Sequence, residues 1–167
     1  MIRTICLLFS LLFIISCQKE ENTNIDTIIK KYNKTDFSFF KNTFIGIRER
    51  NRNEITYIIE KSEGNLPVYF VRYSLNNEKI VKIDRTALER ESVKDYFTDT
   101  KIFEIIKNFR KFNLSLLEVD EENNVFMNYS KINDPAILLR LAIFSDKKEI
   151  RKGYIYKHYE DNWYVRK

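Results

Sequence analysis

Glycine and histidine are scarce in this chain, with three glycines and one histidine in 167 residues. Gly46, Gly64 and Gly153 are scattered. No glycine-rich loop can therefore cradle a phosphate, and the usual nucleotide-binding motifs are excluded. A zinc site draws on several histidine or cysteine ligands. With His158 alone and only Cys6 and Cys17 as thiols, no metal and no cofactor is expected. His158 also lacks the Gly-x-Ser-x-Gly elbow that presents a serine nucleophile, so it reads as a surface or packing residue. The acidic run Asp120-Glu121-Glu122-Asn123-Asn124 fails as a calcium loop. Counted from Asp120, it puts Val125 where an EF-hand needs glycine and Lys131 where it needs the bidentate glutamate. It reads as an acidic hairpin turn. No internal repeat and no low-complexity tract appears.

Apolar residues make up 44% of the chain and aromatics 14%, the composition of a folded globular protein. The formal net charge is +5, but charges of both signs are interspersed, as on a solvated surface.

The N-terminus carries one positive charge at Arg3, an apolar run from Ile5 to Ile15, and the small residue Ser16 before Cys17. This three-part order is that of a secretory signal. The run is shorter than the roughly 20 apolar residues that span a bilayer. Ile14-Ile15-Ser16-Cys17 resembles the lipobox of bacterial lipoproteins. The resemblance implies cleavage after residue 16, a diacylglyceryl group on the Cys17 thiol, and acylation (palmitate-type) of the new amine. Two or three chains anchor a protein lastingly where one does not. The mature protein would then hold to a membrane without crossing it, and would have no thiol left for a disulfide. Gln18 stands where a retention signal would place aspartate. Gln18-Lys19-Glu20-Glu21 resembles the tag that exports lipoproteins to the surface of Bacteroidetes-type cells. Asp26-Thr27-Ile28 resembles the O-glycosylation site of the same bacteria, with Thr27 as acceptor. The expected location is the outer membrane, lipid-anchored and at the cell surface; the alternative is periplasm-facing.

Residues 17–24 are expected to be a lipidated cysteine and polar tether, and residues 25–167 a single domain. Ile25, Ile28, Ile29 and Tyr32 fall at helical spacing, which predicts a short helix over residues 24–33. Alternating and β-branched runs then predict strands at 43–50, 54–60, 67–74 and 79–84, joined by short polar turns. Thr86 and Glu89 have capping-box spacing. The apolar stripe Ile102, Phe103, Ile105, Ile106, Phe109 and Phe112 predicts a helix lying on a sheet. Strands resume at 114–119 and 125–129. Residues 136–144 are nearly all apolar, as in a strand buried on both faces. Tyr154–Tyr159 and Trp163–Arg166 predict a hairpin across residues 160–162. The fold class is α+β: one antiparallel sheet, able to curve strongly, interrupted by a central helical segment.

Arg48, Arg50 and Arg52 alternate along the first strand and are expected to project from one face. A second basic group comprises Lys147, Lys148, Arg151 and Lys152. Tyr154, Tyr156 and His158 share a face of the C-terminal hairpin, whereas Phe39, Phe40, Phe70, Phe103 and Phe109 read as core. The binding surface is therefore expected around Arg48, Arg50, Arg52, Tyr154 and Tyr156. No catalytic residue is assigned, and no nucleic acid is expected beside an exported protein. The expected role is a non-catalytic, membrane-anchored binding module for an unknown protein, glycan or other envelope component. The alternatives are a toxin-neutralising inhibitor or immunity lipoprotein and a lipid-carrier-like protein. A two-carboxylate hydrolase would need two acids converging in a cleft, and no spacing in the sequence singles out such a pair.

Overall fold

The computed structural model describes residues 25–62, 66–145 and 149–167. The expected signal segment, Cys17, the expected tag Gln18–Glu21, and Lys147 and Lys148 lie outside the described residues. Two compact units are distinguished, residues 1–34 and residues 35–167. In the first, α1 (Ile25–Tyr32) has Asp26 in its first turn and Lys30 and Lys31 in its last, the order that complements the helix dipole. Ile28, Ile29 and Tyr32 form its buried face, and Thr27 is exposed.

The second unit is built on one ten-stranded antiparallel sheet. In chain order its strands are β1 (Thr43–Arg50), β2 (Glu54–Glu60), β3 (Tyr69–Ser74), β4 (Lys79–Asp84), β5 (Leu116–Val119), β6 (Val125–Asn128), β7 (Leu138–Arg140), β8 (Glu149–Arg151), β9 (Tyr154–Glu160) and β10 (Trp163–Arg166). They lie in the order β4-β3-β2-β1-β5-β6-β7-β10-β9-β8, so the sheet stays open with β4 and β8 as its edges. Two helices, α2 (Thr86–Arg90) and α3 (Asp99–Phe109), fall in the chain between edge strand β4 and interior strand β5. The sheet itself runs on unbroken, because β1 pairs directly with β5.

Alternation along the strands gives the sheet two distinct faces. Ile45 and Ile47 of β1, Ile55, Tyr57 and Ile59 of β2, and Tyr69, Val71 and Tyr73 of β3 are buried on one of them. Helix α3 lies there, burying Ile102, Ile105, Ile106 and Phe109, with Phe109 edge-on to Tyr57 at 6.1 Å. Burying such side chains contributes about 1.5–3 kcal/mol each. Phe103 falls off this stripe and is exposed, as is Phe39, which lies under the Lys101 ammonium at 4.0 Å. Neither belongs to the core that the sequence pattern assigns them to.

Three local expectations change. The capping box at Thr86 does not form: α2 starts without a side-chain cap at Arg85, and the Asp84 carboxylate takes the Thr86 N–H at 3.0 Å instead. The run 136–144 yields a strand only at 138–140. Leu138 and Leu139 are buried on opposite faces, but Ile143 and Phe144 turn outward. The chain leaves the sheet at Leu141, whose N–H goes to the Asn162 carbonyl while that of Ala142 goes to the Asn124 side chain. Strand β8 has no sequence signal of its own. It forms because Lys152-Gly153, with φ of 52° and 76°, makes a two-residue turn that folds residues 149–151 back onto β9.

Candidate functional site

Opposite the helix-bearing face, Phe44 on β1 pairs with Glu60 on β2 and with Glu118 on β5. At about 4.8 Å per strand, the two glutamates sit roughly 10 Å apart along the sheet with the Phe44 ring between them. Gly46 leaves room for that ring, since a β-carbon there would lie 3.3 Å from it. Alanine at position 46 would force the ring to shift.

Glu118 is only 3% exposed. One of its oxygens, Oε1, accepts the Ser62 hydroxyl at 2.5 Å and pairs with the Lys152 ammonium. Lys152 reaches it because the β8–β9 turn carries the side chain back over the sheet. The second oxygen, Oε2, takes no hydrogen bond from any described residue. Glu60 is half-buried, and that burial pushes its carboxyl above the ordinary glutamate range. The neighbouring Glu118 charge adds to the rise and Lys152 opposes it.

Tyr156 and Tyr154 complete the wall. Tyr156 is fully buried, donates its hydroxyl to the Ala136 carbonyl at 3.1 Å, and meets Phe126 edge-on at 6.2 Å. Burial pushes its hydroxyl up to about 12. Tyr154 is half-exposed beneath the Arg166 guanidinium at 5.3 Å. These residues line a cavity of about 160 Å³. A second hollow of about 270 Å³, reaching Gly46 and Asn133, shares Phe44, Leu116 and Pro135 with it.

The roof is the β6–β7 connection, and Asn128 fixes it. This asparagine is fully buried and donates to the Asp134 and Pro135 carbonyls at 3.2 and 3.1 Å. Its side-chain oxygen accepts the Ser130 N–H and hydroxyl at 2.9 and 3.2 Å. Ser115 ties the same loop from below through the Asn128 and Lys131 carbonyls.

The arrangement can accept hydrogen bonds from a hydroxyl-rich or cationic group and can offer aromatic surface beside them. Its two acids differ in surroundings: Glu118 pairs with Lys152 and Ser62, whereas burial raises the Glu60 carboxyl above the ordinary glutamate range. A carboxyl whose folded pKa is raised stabilises the protein most at low pH, and that contribution disappears as pH rises through the raised value. The Glu60→Gln variant should therefore match the wild type near pH 4 and exceed it in stability at pH 7. Unfolding midpoints across that range would show this, and a gap that did not widen with pH would contradict it.

Of the residues singled out in the sequence, Tyr154 and Tyr156 meet at this groove, while the three arginines separate. A bulge between Ile47 and Glu49 breaks the alternation of β1. Arg48 packs over the Phe70 ring at 4.7 Å on the helix-free side, and Arg50, paired with Ile55, turns to the helix-bearing side. Arg52 sits exposed in the β1–β2 turn. The expectation that the three project together is therefore corrected. Glu60, Glu118, Ser62 and Asn128 were not marked by any sequence pattern; only the placement of two acids opposite Phe44 reveals them. His158 is exposed, with Nε2 2.9 Å from the Asp161 carbonyl, and takes no part in the groove. Among the described residues, no group of three or more His, Cys, Asp or Glu side chains could hold a metal ion.

No protein-family model, no curated protein and no solved structure matches this chain.

Proposed function

We propose that this chain is a membrane-anchored envelope lipoprotein acting as a non-catalytic binding module, with the helix-free groove holding a glycan-type envelope component. One observation carries the reading: Glu118, almost wholly buried, keeps an oxygen without a partner among the described residues in a cavity walled by Tyr154 and Tyr156. A buried carboxylate oxygen is a strong acceptor for a ligand hydroxyl, and an aromatic face beside it suits the C–H side of a sugar ring. Lipidation at Cys17, and export through Gln18, Lys19, Glu20 and Glu21, would place the groove at the outer surface. The curvature expected of the sheet would make this face the concave one.

The test is a titration of the chain with soluble envelope oligosaccharides. Tyr154→Ala should weaken binding about tenfold, which corresponds to ~1.4 kcal/mol and lies within the range for an aromatic contact. The glycan should be recovered unchanged. Unaltered binding by the variant would remove the groove from the account, and cleavage of the glycan would turn it toward a two-carboxylate hydrolase. The location is tested separately by antibody access on intact cells, where replacing Lys19, Glu20 and Glu21 with alanine should abolish labelling. Absence of labelling in the wild type would favour the periplasm-facing alternative.

A toxin-neutralising role has one observation in its favour. Ile143 and Phe144 are 84% and 56% exposed beside Glu149 and Arg151 of β8, an apolar pair of the kind that marks protein contacts. Protein capture lost in Ile143→Ser, with glycan titrations blank, would support that role.

A further inference from the structure

On the helix-bearing face a different cavity of about 370 Å³ opens between the outer ends of β1 and β2 and the end of α3. Aliphatic side chains, those of Ile47, Ile55, Leu75 and Leu114, form part of its wall beside polar groups such as Asn113. Two guanidiniums, those of Arg50 and Arg110, stand among the same lining residues. Tyr57 lines it too, and this side chain is unusual. It is 1% exposed, yet its hydroxyl has no hydrogen bond with any described residue. The hydroxyl is not sealed off: it opens into the cavity, where a ligand acceptor can reach it, and phenylalanine would keep the ring in place without that donor.

The charges around the cavity are unequal in their commitments. Arg110 donates Nη1 to the Tyr73 hydroxyl at 2.5 Å, and its Nη2 lies 3.5 Å from Glu78, which offsets its charge. Arg50 has no ion-pair partner among the described residues and leaves one positive charge in excess. The α3 end adds little opposing charge, since the Ile106, Asn108 and Phe109 carbonyls already accept backbone N–H groups. Burial pushes the Tyr57 hydroxyl up to about 12 even though Arg110 and Arg50 both act to lower it. The hydroxyl is therefore a neutral donor at physiological pH.

We propose that this cavity binds a small amphiphilic anion, with its apolar body among the aliphatic side chains and its carboxylate or phosphate head between the Arg50 guanidinium and the Tyr57 hydroxyl. A volume of about 370 Å³ is at the lower end of small-molecule sites, which run from about 300 to 1,000 Å³. A single aromatic ring or a short acyl chain fits that space. This site is separate from the helix-free groove and does not depend on the glycan reading.

The test titrates the full chain, followed by NMR, with benzoate, phenyl phosphate, benzyl alcohol and inorganic phosphate. Benzoate or phenyl phosphate should bind at least about tenfold more tightly than benzyl alcohol, the worth of one charge-assisted contact. Whichever anion is tighter identifies the head group as carboxylate or phosphate. Arg50→Gln should bring the tighter anion down to the level of the alcohol. Tyr57→Phe should weaken the anion several-fold while leaving the thermal midpoint equal or higher, an outcome that separates ligand contact from structural damage. The proposal is overturned if benzyl alcohol binds as well as the anions, if inorganic phosphate binds as well as phenyl phosphate, if Arg50→Gln changes nothing, or if no probe binds.

Discussion

Asn128→Ala is expected to destabilise the protein by about 3–5 kcal/mol, because one buried amide satisfies four groups of the groove's roof. Each neutral hydrogen bond contributes about 1 kcal/mol net, and each buried carbonyl or N–H left unpaired costs about 1–3 kcal/mol. Asn128 donates to two carbonyls and accepts from the Ser130 backbone and side chain, at 0% exposure. No solvent is at hand to replace it. At about 2–4 °C per kcal/mol for a chain of this size, the thermal midpoint should fall by roughly 6–20 °C. Asn128→Asp sets a carboxyl oxygen against both carbonyls at a buried site, so it should cost at least as much as alanine. The loop should loosen with the loss, and glycan binding should weaken in step. A midpoint shift under about 2 °C would mean that the β6–β7 connection is held by something else.

Trp163→Ala should cost about as much for a different reason. The indole is fully buried on β10, where it faces Arg140 of β7 across the ladder. The Arg140 guanidinium lies over its ring at 5.8 Å and over that of Phe37 at 5.1 Å, and donates to the Thr35 carbonyl at 3.0 Å. Burial lowers the Arg140 pKa, so the charge is poorly hydrated and leans on its aromatic neighbours. Truncation removes the buried ring and opens a cavity, for about 3–5 kcal/mol. Arg140 would then face that cavity with Phe37 as its remaining ring neighbour. Trp163→Phe should recover more than half of the loss. The chain has one tryptophan, so unfolding of the variant must be followed by circular dichroism rather than tryptophan fluorescence. A cost under about 1.5 kcal/mol would show that the β7–β10 seam collapses without penalty.

Strands whose alternation is regular and whose ends are marked by turns were legible in the sequence: β1 to β4, β6, β9 and β10 fall close to where Val, Ile and aromatic residues recur at period two. The helical stripe of α3 was legible for the same reason, through Ile102, Ile105, Ile106 and Phe109. What misled was apolar character without periodicity. Residues 136–144 look like one buried strand, but only Leu138 and Leu139 find neighbours on both faces, and Ile143 and Phe144 lie beyond the last ladder bond. Strand order was also illegible. That β5 returns to pair with β1, and so sets Glu118 opposite Phe44, depends on long-range packing rather than on any local residue choice. The groove inherits this opacity, since Glu60 and Glu118 are 58 residues apart in the chain and share nothing but a neighbour. The arginine expectation failed on one inserted residue, because a bulge at Arg48 reverses the alternation that sequence spacing assumes.

The most direct measurement is hydrogen–deuterium exchange of the full chain with and without saturating envelope oligosaccharide. Exchange should slow at residues 44–46, 115–118, 133–136 and 152–156, the segments that surround Glu118, and stay unchanged in β4 at the far edge. Slowing confined to residues 142–150, or no slowing at all, would contradict the groove as the binding site.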